Sequence, residues 1–157
     1  MKAGSNLPPT PERETTMRFM MLVKATPESE KGTLPSEKEL ADMGKYNEEL
    51  VKAGVLLAGE GLHPSSNATR VRFSGGKPAV MDGPFTETKE LVAGFWMIQV
   101  KSREEAVEWA RRVPFVNGEI EIRKVFETED FAPSDPTGEH RAAEHRLREE
   151  VAARQKS

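Results

Sequence analysis

The chain has no cysteine, no net positive charge, a single tyrosine and no apolar run of membrane-spanning length, and each shortage removes a class of function. Without cysteine there is no disulfide, no thiolate nucleophile and no cysteine-ligated metal. That composition suits a reducing compartment, so the expected location is cytoplasmic. A formal net charge of -3 over 157 residues, with a pI near 5.7, offers no basic footprint to a phosphate backbone, and no direct nucleic-acid role is expected. The longest apolar stretches, residues 17–23 and 91–100, fall far short of the roughly 20 residues a spanning helix needs, and no membrane role is expected. Of the three histidines, His63 stands alone and His140 with His145 lies near the C-terminal end, so no pair has ligand spacing in the core. No glycine-rich phosphate loop opens a helix and no serine nucleophile elbow is present; the expectation is no metal and no required cofactor.

What remains suits one folded domain with extensions. Residues 1–16, polar and carrying Pro8, Pro9 and Pro11, lack the apolar core of a signal peptide and read as a disordered leader. Residues 17–127 form the expected domain, long enough to bury a core. After them Pro133, Asp135, Pro136 and Gly138 mark a linker within residues 128–157, and a charge-rich segment at 139–156 with Ala142, Leu147 and Val151 reads as a partly helical, partner-docking tail.

Within the domain, residues 17–25 are nearly continuous in apolar side chains and predict a strand buried on both faces. A polar loop follows at 26–35. Ser36 and Glu39 make a capping box, and Leu40, Met43, Asn47, Leu50 and Val51 recur at helical spacing. Residues 55–64 predict a strand that turns irregular where Gly59 and Gly61 flank Glu60, a pattern of bulges or close backbone approach. Residues 67–73 alternate as a half-buried strand, Ser74-Gly75-Gly76-Lys77 is a hairpin turn, and residues 78–81 return. Residues 91–100 predict a second buried strand. A second capping box, Ser102 with Glu105, starts a helix with Ala106, Val107, Ala110 and Val113 on one face, and residues 119–126 give a last strand with one wet face. Two strand-helix-strand units in one sheet predict an α+β, ferredoxin-like sandwich with an inserted β-hairpin.

The candidate site centres on Met81-Asp82-Gly83-Pro84-Phe85-Thr86-Glu87-Thr88-Lys89-Glu90, a polar turn between two strands that gathers ionisable groups at one sheet end. Asp82 has two readings: an Asx-type cap of the Asp-Gly-Pro turn, or a carboxylate whose pKa apolar walls such as Phe85 and Trp96 would raise. Glu60 is the second acid, or else a solvated bulge residue. If Glu60 and Asp82 share a cleft, their repulsion pushes one pKa up and yields an acid and a base. His63 is a candidate accessory base, against the plainer reading of a loop histidine. Lys89 would hold an anionic substrate, or else makes a surface ion pair. Tyr46 would lend its hydroxyl to a pocket, or else sits at a helix border with that group in water. The chemistry such a set supports is acid/base proton transfer, of isomerase or lyase type, on a small molecule. The competing expectation is a non-catalytic ligand-sensing module.

With Ala58-Gly59-Glu60-Gly61-Leu62 before it and Ala93-Gly94-Phe95-Trp96 after it, the Asp-Gly-Pro-Phe string resembles the DGPF-domain branch of the YCII-related family, from about Arg18 to Phe126. The resemblance implies a ferredoxin-like subunit of the dimeric α/β-barrel type, hence a homodimer. It also implies a family with no established general activity, suspected of chemistry in an acid and histidine cleft and often associated with sigma factors. Relatives in the wider group are thought to use a histidine near the first strand, and this chain has none there.

Overall fold

The structure, a computed structural model, describes residues 15–155; the expected leader, apart from Thr15 and Thr16, lies outside the described residues. In chain order the elements are β1 (Met17–Lys24), α1 (Pro27–Glu30), α2 (Glu37–Lys52), β2 (Leu56–Gly61), β3 (Thr69–Ser74), β4 (Lys77–Asp82), β5 (Val92–Val100), α3 (Arg103–Arg111), β6 (Ile120–Lys124) and α4 (Glu139–Gln155). The chain divides after Lys124 into two compact units.

In the first unit four strands form one antiparallel sheet in the order β2-β5-β1-β6. The units β1-α2-β2 and β5-α3-β6 interleave, because β5 lies between β1 and β2. The result is a mixed α+β architecture compatible with a ferredoxin-like fold. Strand alternation sorts the side chains. Phe19 and Met21 of β1 and Trp96, Ile98 and Val100 of β5 are buried with Tyr46 and Leu50 of α2 and Ala106 and Trp109 of α3. Each of the larger of these side chains contributes roughly 1.5–3 kcal/mol on burial. Their neighbours Met20 and Leu22 are only half-buried, so β1 is buried fully on one face, not on both as the apolar run suggests. Arg18 and Lys24, on the same pleat as Met20, explain the difference: that face carries charge at both ends.

Local chemistry places the helices. At α2 the Ser36 hydroxyl accepts the Glu39 N–H at 3.1 Å and the Glu39 carboxylate accepts the Ser36 N–H at 3.0 Å, which completes the expected box. At α3 only half of the expected box forms. Ser102 accepts the Glu105 N–H, but the Glu105 carboxylate turns to the N–H of Lys101. Tyr46 departs from both expectations. It is 3 % exposed, with neither water nor a pocket at its hydroxyl, which donates to the Trp109 carbonyl at 2.7 Å. Burial pushes this phenol up to about 12, against the opposing pull of the Arg112 charge, so it stays neutral. The short helix α1 occupies the expected loop, because Thr26 and Ser29 cap each other in a box of their own.

Among the described residues, strands β3 and β4 pair only with each other, from Thr69 opposite Asp82 to Ser74 opposite Lys77. The expectation of a half-buried strand fails here. Val71, Phe73 and Val80 are 51 %, 71 % and 70 % exposed, since this ribbon joins no third strand.

The Asp-Gly-Pro-Phe turn at the end of β4 is fastened from an unexpected quarter. Both carboxylate oxygens of Glu30 engage Ser65, one accepting its N–H at 2.9 Å and the other its hydroxyl. The Ser65 oxygen in turn accepts the Phe85 N–H at 3.0 Å. The Gly83 N–H donates to the Ala68 carbonyl at 2.8 Å, and a Cβ at Gly83 would collide with the Ser65 carbonyl. The peptide bond between Gly83 and Pro84 is cis. The Phe85 ring lies under the Arg70 guanidinium at 3.7 Å. Ser65, 5 % exposed, thus ties α1, the turn before β3 and the Asp-Gly-Pro-Phe turn together.

In the second unit, residues 128–134 form 3-10 turns and α4 follows. Asp135, 4 % exposed, accepts the backbone N–H groups of His140 and Arg141 and the Arg141 guanidinium at 3.1 Å. Burial pushes its carboxyl up. The His140 and Arg141 hydrogen bonds and the Arg141 charge together outweigh that push and leave it below the ordinary aspartate value.

Three outcomes follow from these ties. Ser65→Ala strands a half-buried Phe85 N–H and a Glu30 oxygen and is expected to cost about 1–3 kcal/mol in denaturant unfolding. Asp82→Ala, which loses only an exposed bond from Thr69, is expected to cost under about 1 kcal/mol. For Asp135, a proton binds less readily in the folded than in the unfolded chain. Its support of α4 is therefore complete above the ordinary aspartate pKa and fades as pH falls through the depressed one. Amide chemical shifts of residues 139–155 should show α4 loosening in that acid window, and Asp135→Asn should remove this pH dependence.

Candidate functional site

Between α2 and the sheet lies a cleft of about 640 Å³, within the range of about 300–1,000 Å³ usual for small-molecule sites. One wall is a stripe of α2, Glu39, Met43 and Asn47, at four-residue steps that bring all three to one helix face. The floor is the end of the sheet, with Gly59 of β2 opposite Trp96 of β5 and Glu60 opposite Phe95. Residues of α1 and the loop after it close one end, and Phe115 and residues 117–119 close the other.

Trp96 fixes the floor. Its indole N–H donates to the Asn47 side-chain oxygen at 2.9 Å, and its ring meets Tyr46 edge-on at 5.4 Å and Phe115 at 6.4 Å. Room for the indole comes from Gly59, where a Cβ would fall 2.8 Å from Trp96 Cδ1. The close approach foreseen at the paired glycines is therefore real, and its occupant is Trp96. The one register shift of β2 lies earlier, between Leu56 and Ala58.

Glu60 alternates with Gly59, so its side chain leaves from the opposite pleat; it lines the cleft at the rim, where β2 is the outer strand. It is exposed, and its carboxylate makes no hydrogen bond or ion pair with the described residues. Glu39 lines the wall as a carboxylate. The N–H and hydroxyl hydrogen bonds of Ser36 hold its carboxyl below the ordinary glutamate value.

Of the residues singled out in the sequence, the cleft brings together Glu60 and Trp96. The anticipated pairing of Glu60 with Asp82 in one cleft does not occur, since Asp82 lies outside it, exposed, accepting the Thr69 hydroxyl at 2.9 Å across the ribbon. Phe85 lies under Arg70, and Tyr46 is sealed in the core. His63 is exposed beyond the end of β2, and Lys89 sits exposed in the 3-10 turn Thr88–Glu90; neither lines the cleft. Among the described residues no group of three or more His, Asp or Glu side chains converges as a metal shell requires, and no helix is long and apolar enough to cross a membrane.

The residues missed were Asn47, Phe115 and Glu39 as cleft walls and Ser65 and Glu30 as the clamp. Asn47 had left a sign, being the one polar side chain on an otherwise apolar helix stripe. Phe115 and residues 117–119 fall in a loop without periodicity and left none.

The model of the YCII-related domain matches residues 17–129. An uncharacterised protein of Rhizobium meliloti (strain 1021) is 38 % identical over 90 residues, which cover 55 % of this chain and 73 % of that protein. With the matched region spanning the whole sheet and the cleft, the chain belongs to the YCII-related family.

Proposed function

We propose that the chain is a small enzyme of the acid/base proton-transfer type, isomerase- or lyase-like and working without a cofactor, which takes a small molecule in the cleft beside α2. The observation that carries this reading is Glu60, an uncommitted carboxylate at the rim of an aromatic-walled cleft. Glu60 is the group that takes the proton. Trp96 and Phe115 hold an apolar body near it and thin the water there. Asp82, Phe85, Lys89 and His63 serve in this reading by building the turns beyond the sheet end.

The same reading includes a homodimer of the α/β-barrel type. Its support is the sheet face turned away from the helices, where Met20 and Leu22 of β1 stand beside Met97 and Phe95 of β5, all half-buried. An apolar strip of this kind is stabilised by packing on a second sheet. Light scattering should give twice the chain's 17.5 kDa, and Met97→Glu should halve it; a wild-type mass of one chain would refute the dimer.

For the activity, small aromatic and aliphatic molecules that raise the melting temperature would be followed for conversion by NMR. The wild type should convert at least one. Glu60→Gln should still bind it and turn it over about 10²- to 10⁴-fold more slowly. Ligands that bind and are never converted would favour a sensing module instead.

A further inference from the structure

The cleft carries a chemical bias beyond its shape. Four glutamates line it, Glu28, Glu39, Glu60 and Glu119, against one cation, Lys24. Lys24 is already spent, its ammonium lying 3.3 Å from the Glu121 carboxylate. Glu39 is held as a carboxylate by its cap, while Glu28, Glu60 and Glu119 have no side-chain partner among the described residues. Beside these charges stand two aromatic rings, Trp96 and Phe115. Carboxylates around aromatic faces repel an anion and attract an organic cation, first by Coulomb attraction and then through the ring quadrupoles.

We infer that the ligand of this cleft is a small organic cation, an amine protonated at neutral pH on an apolar, ring-sized body. The inference rests on the cleft being the ligand site, as proposed above, and adds the charge of what enters. Anionic substrates such as carboxylates and phosphate esters are excluded by the same walls. The apolar body lies on Trp96 and Phe115, whose rings are 6.4 Å apart. The ammonium group lies toward Glu39 at the α2 wall or toward Glu119 at the far end.

Three probes of one size and different charge separate the possibilities: benzylamine, benzyl alcohol and benzoate, titrated into the full chain and followed by tryptophan fluorescence. Benzylamine should bind tightest, benzyl alcohol weaker and benzoate not at all. Raising salt should weaken benzylamine and leave benzyl alcohol unchanged. Glu39→Gln keeps a side chain able to cap α2 and should weaken benzylamine by about 5-fold, the worth of one charge contact near 4 Å in water, with no effect on benzyl alcohol. Glu119→Gln provides the same test away from any helix cap. Benzoate binding as well as benzylamine would overturn the charge assignment and leave the cleft standing. Silence from all three probes would overturn the cleft as ligand site, and this inference with it.

Discussion

The seating of one side chain governs this molecule. Trp96 lies on the helix side of β5, and three groups have to agree for it to fit: Gly59 without a Cβ, Asn47 to accept the indole N–H, and Tyr46 to meet the ring edge-on. Tyr46 and Asn47 are neighbours on α2, and Gly59 comes from β2. Together they lock α2 against β2 and β5 and leave a gap between the front half of α2 and the sheet end. Core and cleft thus share a wall. Tyr46 extends the same contact to α3 through the Trp109 carbonyl, so the two helices on this face are joined by one buried hydroxyl.

The fold could be read in the sequence wherever local chemistry and burial pointed the same way. The capping box at Ser36 and Glu39 and the long apolar run of β5 each carried their own signal, and two strand-helix-strand units implied the α+β arrangement. Misreadings came where tertiary contacts decided. Val71 and Phe73 have the composition of a half-buried strand yet stand exposed, because what covers a strand is set by sheet topology and not by its own residues. Tyr46 reads in the sequence as a pocket hydroxyl or a helix-border ring, and it is neither. Its neighbours on the helix gave no hint that Trp109, 63 positions on, would supply a carbonyl.

The candidate site shows the same division. The Asp-Gly-Pro-Phe string drew attention because polar and ionisable residues crowd a turn, but that crowding describes sequence neighbours, and a cleft is made of spatial ones. The string is instead held at its backbone, through Gly83 against Ala68 and Phe85 against Ser65. Half-buried polar contacts of this kind make a turn intolerant of change without any chemistry at its side chains. Glu60 was legible for a different reason: a carboxylate between two glycines on an edge strand has no structural task there, and the structure finds it uncommitted at the cleft rim.

The most direct measurement is a ¹H–¹⁵N map of the chain with a small molecule that raises its melting temperature. With only two tryptophans, the indole region resolves the cleft from the core. If the cleft is the site, the Trp96 indole N–H and the Gly59 and Gly94 amides shift, while the Gly83, Phe85 and Lys89 amides stay in place. Shifts confined to Gly83, Phe85 and Lys89, with Trp96 unmoved, would contradict the account.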